Sequence, residues 1–168
     1  GCESPQERAL HQLEQIGVPA TSSTLFQAAA SDDVPLLELL QRALVPVDSR
    51  DDEGRTALIV AVQEGSRKAT RFLVQHGCSV SERDPEGFTP FAYALRKENW
   101  TMARLLLELG ADPNTMVEEN VPVITTVTKA GNTDFLIELL RYRPDLNLRD
   151  PDGYTPLSYA VEKGNVRY

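Results

Sequence analysis

Apolar residues recur along this chain at a constant spacing of 33 residues, and this period constrains the fold more than any other feature. One column of the repeat contains Leu25, Leu58, Phe91, Ile124 and Leu157. A second column contains Leu40, Leu73, Leu106 and Leu139. Self-similarity at a fixed period is the signature of stacked structural units, each of which contacts only its neighbours. The chain is therefore predicted to be a repeat array.

The clearest copy of the unit occupies residues 84–114. It opens on the segment DPEG at 84–87, which predicts a tight turn because proline presets φ and glycine takes a positive φ without strain. Thr89 can then cap a helix, and Pro90 suits the first helical position, where no backbone N–H is needed. Gly110 follows a second, more apolar helix and is predicted to be its left-handed cap.

These residues resemble the ankyrin repeat family, whose pattern is D-x-x-G-x-T-P followed by L-L-L-x-x-G-A-D-x-N. The matching positions outside the leucine run are Asp84, Gly87, Thr89, Pro90, Ala94, Gly110, Ala111, Asp112 and Asn114. Further copies begin at Asp51 and Asp150, and the resemblance covers nearly all of residues 18–168. It implies a mainly α fold, an ankyrin-repeat solenoid of stacked helix-turn-helix units with β-hairpin-like finger loops and an N-terminal capping helix.

The period also predicts the organisation of the chain as one continuous domain. Its parts are a capping helix at 1–17, repeats at 18–50, 51–83, 84–116 and 117–149, and a partial fifth repeat at 150–168. Apolar residues spaced three and four apart in 5–16 predict the capping helix. At the other end, Leu157, Ala160 and Val161 would be buried by a further helix. We therefore expect a continuation beyond Tyr168 or a neighbouring chain packed there.

The fourth repeat is the degenerate one. Its β-branched run at 123–128 would favour a strand by local propensity. The repeat register instead places Ile124 in the column of Phe91, and so predicts a helix over 124–130. This helix is expected to be the least stable element.

Several glycine positions of the repeat are occupied by other residues. Asp32 and Glu98 stand where Gly65 stands in the turn between the two helices, and the first repeat also lacks the glycine after its second helix. If this backbone requires a positive φ, each replacement costs about 1 kcal/mol. Packing between neighbouring repeats must offset that cost.

Charge and hydropathy restrict the partners of the chain. The net charge of −8 opposes binding to a phosphate backbone, so nucleic acid is not expected as a partner. No apolar run reaches the ~18 residues that a membrane-spanning helix requires, and no transmembrane segment is predicted.

Cys2 has two interpretations. Gly1-Cys2 followed by polar residues resembles the mature end of a bacterial lipoprotein, in which a small residue precedes a lipid-modified cysteine. That interpretation predicts a lipid anchor at Cys2 and a periplasmic, membrane-anchored ankyrin-repeat lipoprotein. The alternative, an ordinary cysteine, is compatible with the cytoplasm. Cys78 stands in the column of Ala111 and is predicted to be a small buried thiol.

The sequence contains no recognisable catalytic or metal-binding motif. An enzyme needs a nucleophile, an acid–base pair or a metal held together, and the two histidines, His11 and His76, lie far apart in a linear array. No glycine-rich phosphate loop and no calcium-binding loop are present. We therefore expect no enzymatic activity, no cofactor and no metal.

The family resemblance implies a concave face, lined by finger loops and first helices, that binds other proteins. The predicted function is a non-catalytic protein-binding scaffold, and the alternative is a regulatory or anchoring module of a longer polypeptide with another functional domain. Predicted partner-binding residues are Arg55, Arg83, Phe88, Arg96, Lys97, Trp100, Val121 and Tyr154.

Phe88 is the centre of this prediction, because the fold does not need a large ring at its position. It is expected beside the basic residues Arg83, Arg96 and Lys97, and aromatic and arginine residues dominate binding energies at interfaces. We therefore predict that an acidic, partly apolar segment of a partner protein lies across repeats two to four. The alternatives are that Phe88 packs on a neighbouring finger and that Trp100 packs over a neighbouring repeat.

Overall fold

A computed structural model describes residues 3–162, which form ten α-helices and one two-stranded sheet. The helices are α1 (Pro5–Gln15), α2 (Ser22–Ala30), α3 (Val34–Arg42), α4 (Ala57–Glu64), α5 (Arg67–Gln75), α6 (Pro90–Arg96), α7 (Trp100–Glu108), α8 (Val123–Ala130), α9 (Thr133–Arg141) and α10 (Pro156–Glu162). The strands are β1 (Met116–Glu118) and β2 (Val121–Pro122), which pair antiparallel. Helices α2 to α9 form four consecutive helix-turn-helix pairs. The predicted mainly α repeat fold is therefore confirmed.

The chain forms two compact units, Gly1–Gly87 and Phe88–Tyr168. In the first unit α1 packs on α3, α2 on α4, and α3 on α5. Its largest buried side chains are Leu13, Leu25, Leu37, Leu40, Leu58, Ile59 and Leu73. In the second unit α6 packs on α7, and α8 packs on α6, α9 and α10. Its core contains Phe91, Leu95, Met102, Leu106, Phe135 and Leu139. The two repeating apolar columns thus supply much of each core.

The helix predicted at the N-terminus is present as α1, and the Ser4 hydroxyl accepts a hydrogen bond from a first-turn N–H. Ala9 and Leu13 are buried, whereas Leu10 and Ile16 of the same predicted apolar face are 38% and 58% exposed. These two buried residues form a narrow apolar stripe, which is sufficient to cover the contact of α1 with α3. Cys2 and residues 163–168 lie outside the described residues, so the lipid-anchor and continuation hypotheses stay predictions.

Two columns of the repeat have a left-handed backbone in all four helix pairs, and a third has it in the loops before α4, α6, α8 and α10. In the turn between paired helices φ is 58° at Asp32, 77° at Gly65, 51° at Glu98 and 73° at Gly131. After the second helix φ is 63° at Leu44, 104° at Gly77, 98° at Gly110 and 53° at Arg143. In the loop before the first helix φ is 74° at Gly54, 91° at Gly87, 58° at Asn120 and 84° at Gly153. The predicted glycine-like conformation of Asp32 and Glu98 is confirmed. The backbone therefore keeps its geometry where glycine is absent.

The loop that precedes each first helix, called the finger loop below, is held by an aspartate carboxylate in at least two copies. Asp51 and Asp150 each accept two backbone N–H groups at one carboxylate oxygen, at 2.8–3.1 Å. The fourth copy has the buried Val117 at this position, and its finger is closed instead by the pairing of β1 with β2. A different set of backbone hydrogen bonds thus preserves the finger where the aspartate is missing.

In the first unit, two hydrogen bonds connect the turn of one helix pair to the start of the next pair's second helix. Asp32 Oδ1 accepts the N–H of Ala69, in the first turn of α5, at 2.7 Å. Ser66, the residue before α5, does not cap its own helix and instead donates its hydroxyl to the Ala30 carbonyl at 2.7 Å. The cap of α5 is therefore supplied by the preceding pair.

Residues 123–130 form the helix α8 despite their β-branched composition, as the register predicted. Ile124 and Val127 are buried in the columns of the core, which shows that packing overrides local propensity here. The residue before the helix is Pro122, whose side chain makes no capping hydrogen bond. One side-chain oxygen of this helix, Thr125 Oγ1, is buried with no hydrogen-bond partner among the described residues.

Replacing Thr125 by Val should stabilise the protein. Valine is close to threonine in shape, and the substitution removes a buried hydroxyl whose desolvation costs about 1–3 kcal/mol when it is unpaired. The free energy of unfolding, measured by urea titration, should rise by about 1 kcal/mol. The control is Thr128→Val on the same helix, because that buried hydroxyl donates to the Ile124 carbonyl at 2.8 Å and its loss should not stabilise. Equal effects of the two substitutions would contradict the prediction.

Replacing Leu44 by Gly should also stabilise the protein. Leu44 is 68% exposed, so few contacts are lost, and the left-handed strain of about 1–2 kcal/mol exceeds glycine's entropic cost of about 0.5–1 kcal/mol. The reciprocal substitution, Gly77→Ala in the same column, should destabilise by about 1 kcal/mol. A Cβ at Gly77 meets no atom within 4 Å, so the backbone alone is tested. Thermal unfolding of both variants measures the two changes, and a lower Tm for Leu44→Gly would count against imposed strain.

Candidate partner-binding surface

The eight predicted partner-binding residues are divided between the two units. Arg55 and Arg83 belong to the first unit, and the second contains Phe88, Arg96, Lys97, Trp100, Val121 and Tyr154. The predicted grouping of Arg83 with Phe88 crosses this division and stays a prediction.

Arg55 is held in its own finger loop. Its Nε donates to Asp51 Oδ2 at 2.9 Å, its Nη1 donates to Gln63 Oε1 at 3.2 Å, and the same Nη1 lies 3.2 Å from Glu53 Oε2. Burial raises the pKa of the Asp51 carboxyl, but the hydrogen bonds and positive charge of Arg55 outweigh it and leave the pKa below its ordinary value. The charge of Arg55 is therefore already balanced by neighbouring carboxylates.

Arg83 closes its finger loop by donating from Nη1 to the Gly87 carbonyl at 2.7 Å. Its column has the same role elsewhere, since Arg50 and Arg149 each donate to the carbonyl four residues later at 2.7 Å. Arg50 also donates to the Arg83 carbonyl at 2.9 Å, which links two fingers of the first unit. Sequence analysis predicted binding for Arg83, and the contacts give it a structural role as well.

Phe88 lies half-buried against its own helix pair. Its ring meets the edge of Tyr93, with centroids 5.9 Å apart, and the guanidinium carbon of Arg96 lies 4.4 Å from its centroid. Such stacking of arginine on an aromatic face is a cation–π contact. Phe88, Tyr93 and Arg96 are called the Phe88 cluster below. Arg96 is exposed, and the ring of Phe88 holds its side chain in place.

A second cluster of rings and a cation surrounds Tyr154, which is 51% exposed. The Tyr154 and Tyr159 rings are 5.5 Å apart, and Lys129 Nζ lies 4.3 Å from the Tyr159 centroid. Asp150 Oδ2 accepts the Tyr159 hydroxyl at 2.6 Å and lies 3.5 Å from Lys129 Nζ. Tyr154, Tyr159, Lys129 and Asp150 are called the Tyr154 cluster below.

Electrostatic interactions in the Tyr154 cluster keep its charges paired. The hydrogen bond from Tyr159 is the main reason that the pKa of Asp150 lies below its ordinary value of 3.8, although burial opposes the shift. The same hydrogen bond raises the pKa of Tyr159, and contact with Tyr159 and Asp150 raises the pKa of Lys129. At neutral pH the cluster therefore contains a carboxylate and an ammonium group that balance each other.

The two clusters differ in how their cations are neutralised. Lys129 pairs with Asp150, whose side chain is only 1% exposed. Arg96 has no carboxylate within 4.0 Å among residues 3–162 and is stacked on an uncharged ring. The Phe88 cluster thus presents a positioned positive charge, whereas the Tyr154 cluster presents an aromatic surface beside a balanced ion pair.

The other predicted residues have different surroundings. Lys97 is exposed at the end of α6, and Val121 is half-buried in β2. Trp100 is half-buried at the start of α7, with its ring 5.3 Å from the ring of Phe135 in α9. Trp100 thus contacts the following helix pair, the alternative that sequence analysis gave for it.

Sequence analysis missed Tyr93 and Tyr159 as members of the surface. The signal was present, because each stands five residues after a finger aromatic, Phe88 or Tyr154. Asp150 was missed as a site residue because its column was assigned to the turn alone. Its second carboxylate oxygen, Oδ2, connects the finger to the helix.

The remaining features bear on cofactors and membranes. Within residues 3–162, no three His, Cys, Asp or Glu side chains are grouped so that they could hold a metal ion. No helix in the same range has the length and apolar character of a membrane span. The predicted buried thiol Cys78 donates to the Val47 carbonyl at 3.3 Å, and burial raises its pKa to about 11.

Comparison with known proteins identifies the family. A family model for ankyrin repeats, in 3 copies, matches residues 25–117, which is more than half of the chain. The chain belongs to the ankyrin repeat family. Ankyrin repeats generally mediate protein–protein interactions, and ankyrin repeat proteins are generally non-catalytic scaffolds.

Individual ankyrin repeat relatives differ greatly in length. The ankyrin repeat protein FPV223 of fowlpox virus is 31% identical over 132 residues, which cover 78% of this chain and 92% of FPV223. The potassium channel AKT2/3 of Arabidopsis thaliana is 26% identical over 150 residues, 88% of this chain but only 18% of the channel. The B-cell lymphoma 3 protein homolog of Mus musculus is 29% identical over 155 residues, 92% of this chain and 32% of that protein.

Asp150 should contribute to the part of this ankyrin array's stability that is lost in acid. Because its folded pKa is lowered, its stabilising effect is present above the unfolded-state pKa of about 3.9 and is lost as the pH falls through the folded value. Asp150→Asn should therefore be less stable than the wild type at neutral pH, and the difference should shrink as the pH falls below about 4.

Urea titrations across this pH range measure the effect, with Asp152→Asn as the control. Asp152 is exposed in the same finger and undergoes the same charge change. A stability difference for Asp150→Asn that is independent of pH would show that the carboxylate charge is not the stabilising feature.

Proposed function

We propose that this chain is a non-catalytic protein-binding scaffold whose partner lies on the finger loops and first helices, the concave surface of the ankyrin family. The observation that carries the proposal is Arg96, exposed, stacked on Phe88 and without a carboxylate partner among residues 3–162. A guanidinium held in one orientation loses little conformational entropy when it binds a carboxylate. The partner segment is therefore proposed to be acidic and partly apolar.

Aromatic rings of the second unit support the same surface. Tyr154 is 51% exposed, and Phe88 and Tyr93 are half-buried. Aromatic side chains bring a large contact area at low entropic cost, and hot spots at protein interfaces are enriched in tyrosine and arginine. The proposal is confined to the second unit, in which both clusters lie.

The division into repeats at 18–50, 51–83, 84–116, 117–149 and 150–168, after a capping helix at 1–17, is part of this proposal. Its support is the regular placement of the residues that precede each second helix, Asp33, Ser66, Asn99 and Asn132, which are 33 residues apart. Each proposed repeat from the first to the fourth contributes one helix pair.

A second candidate function is a regulatory or anchoring module of a longer polypeptide with another functional domain. The observation that favours it is the length of two relatives, because the matched segment is 18% of the potassium channel and 32% of the B-cell lymphoma 3 homolog. Sequencing the complete reading frame from messenger RNA distinguishes the two candidates. A further domain in that frame supports the second.

Substitutions in the Phe88 cluster should abolish partner capture. The immobilised wild type, Phe88→Ala and Arg96→Glu are incubated with a lysate of the source organism, and captured proteins are quantified by mass spectrometry. A hot-spot truncation costs about 2 kcal/mol, so a specific partner should fall by an order of magnitude or more on both variants.

Arg141→Glu is the matched control, because Arg141 is exposed on α9 of the same unit and undergoes the same charge change. It should capture the partner as the wild type does. Circular dichroism establishes that every variant is folded. Equal capture by all four proteins would refute this surface as the binding site.

A further inference from the structure

The Phe88 and Tyr154 clusters contain rings at equivalent positions and cations at different ones. Phe88 and Tyr154 are 66 residues apart, two repeat periods, and Tyr93 and Tyr159 have the same separation. Each cluster pairs a finger ring with a helix ring and adds a cation against a ring face. The cations differ in origin and pairing: Arg96 lies over the finger ring Phe88, whereas Lys129, from α8, lies over the helix ring Tyr159 and pairs with Asp150.

We infer that the second unit recognises two chemically different side chains of one partner segment, a carboxylate at Arg96 and an apolar side chain at Tyr154. This inference rests on the proposed function and gives the chemistry of the partner. The segment is acidic toward the Phe88 cluster and apolar toward the Tyr154 cluster.

The carboxylate site follows from the geometry of Arg96. The guanidinium carbon of Arg96 lies over the Phe88 ring, 4.4 Å from its centroid, and a guanidinium carries its N–H donors as a planar fork. These donors match the two oxygens of a carboxylate, and no acidic side chain among residues 3–162 lies within 4.0 Å of them. The chain therefore supplies the cation and the ring, and the partner supplies the anion.

The apolar site follows from the balanced charges around Tyr159. Lys129 lies 3.5 Å from a carboxylate that is 1% exposed, and the Tyr159 hydroxyl donates to the same oxygen. A second carboxylate from a partner would meet a cation that is already neutralised and a nearby negative charge, which disfavours it. The Tyr154 ring is the part of the cluster that a partner can reach, and contact with this ring favours an apolar side chain of the partner.

Val121 supports contact with a single segment. It occupies the same column as Phe88 and Tyr154, halfway between them in the repeat, and it is half-buried. A segment that contacts both clusters would meet an apolar residue there.

The test uses a phage-displayed library of random peptides selected on the immobilised full chain. Enriched peptides should contain Asp or Glu at a fixed separation from an apolar residue. One such peptide is synthesised, and its affinity is measured by calorimetry for the wild type, Arg96→Gln and Tyr154→Ala. Each substitution should weaken binding about tenfold.

Double-mutant cycles then assign each contact. Changing the peptide's acidic residue to the corresponding amide should weaken binding to Tyr154→Ala as much as it weakens binding to the wild type. The same change should have little effect on the affinity for Arg96→Gln. Changing the peptide's apolar residue to Ala should give the opposite pattern. These couplings separate direct contact from a general loss of structure, which would reduce both effects.

Asp150→Asn tests the role of the buried charge in specificity. It leaves Lys129 without its balancing carboxylate, so peptides selected on this variant should contain a second acid in place of the apolar residue. Lys129→Gln is the control, because it breaks the same ion pair without exposing a positive charge and should not select a second acid.

The outcomes distinguish the two proposals. Peptides that bind the wild type and lose affinity on Phe88→Ala, but have no acid coupled to Arg96, overturn this inference and leave the proposed function intact. No peptide enriched on the wild type over the combined variant Phe88→Ala/Arg96→Glu counts against both. Acid and apolar residues coupled to Arg96 and Tyr154 respectively support both.

Discussion

The fold depends on a backbone that turns through a left-handed conformation at two fixed places in every helix pair and at a third in the loops before α4, α6, α8 and α10. Those places end the helices and shape the finger loop, so they determine which residues of successive copies come into register. Glycine is free to adopt this conformation, but Asp32, Leu44, Glu98, Asn120 and Arg143 adopt it against a steric cost. Burial of the apolar columns is therefore the stronger effect. At the strained residues, packing of the repeats fixes the backbone in the left-handed conformation.

The finger carboxylates connect this backbone geometry to the candidate binding surface. One oxygen of Asp51 or Asp150 holds the loop, and the other holds a side chain, Arg55 or Tyr159. Cations that take part in such contacts, or that close a finger, are occupied by the chain itself. Positive charge for a partner thus comes from a residue outside this network, and Arg96 is such a residue.

Much of the fold could be predicted from the sequence because the same apolar columns recur every 33 residues and are buried in the same way in each repeat. The register even predicted α8, where local propensity favoured a strand. The candidate surface was less predictable, since the position of a residue in a column does not reveal its hydrogen-bond partners. Arg83 looked like an exposed cation and closes a loop, while Tyr159 looked like a helix residue and orients a buried carboxylate. Such pairings depend on distances that only the structure provides.

The exchange of caps between the first two helix pairs affects how this part of the chain folds. Because Asp32 supplies the acceptor for the first turn of α5, and Ser66 donates back to Ala30, neither pair has all its hydrogen bonds while the other is unfolded. A folding intermediate in which only one of the two helix pairs is formed therefore has a higher free energy. The stability of a linear array is approximately the sum of the intrinsic stability of each repeat and the interaction energy between neighbouring repeats. The two shared hydrogen bonds belong to the interaction between neighbours. Folding of residues 22–75 should therefore be a concerted event, with a sharper transition than that of independently capped helix pairs.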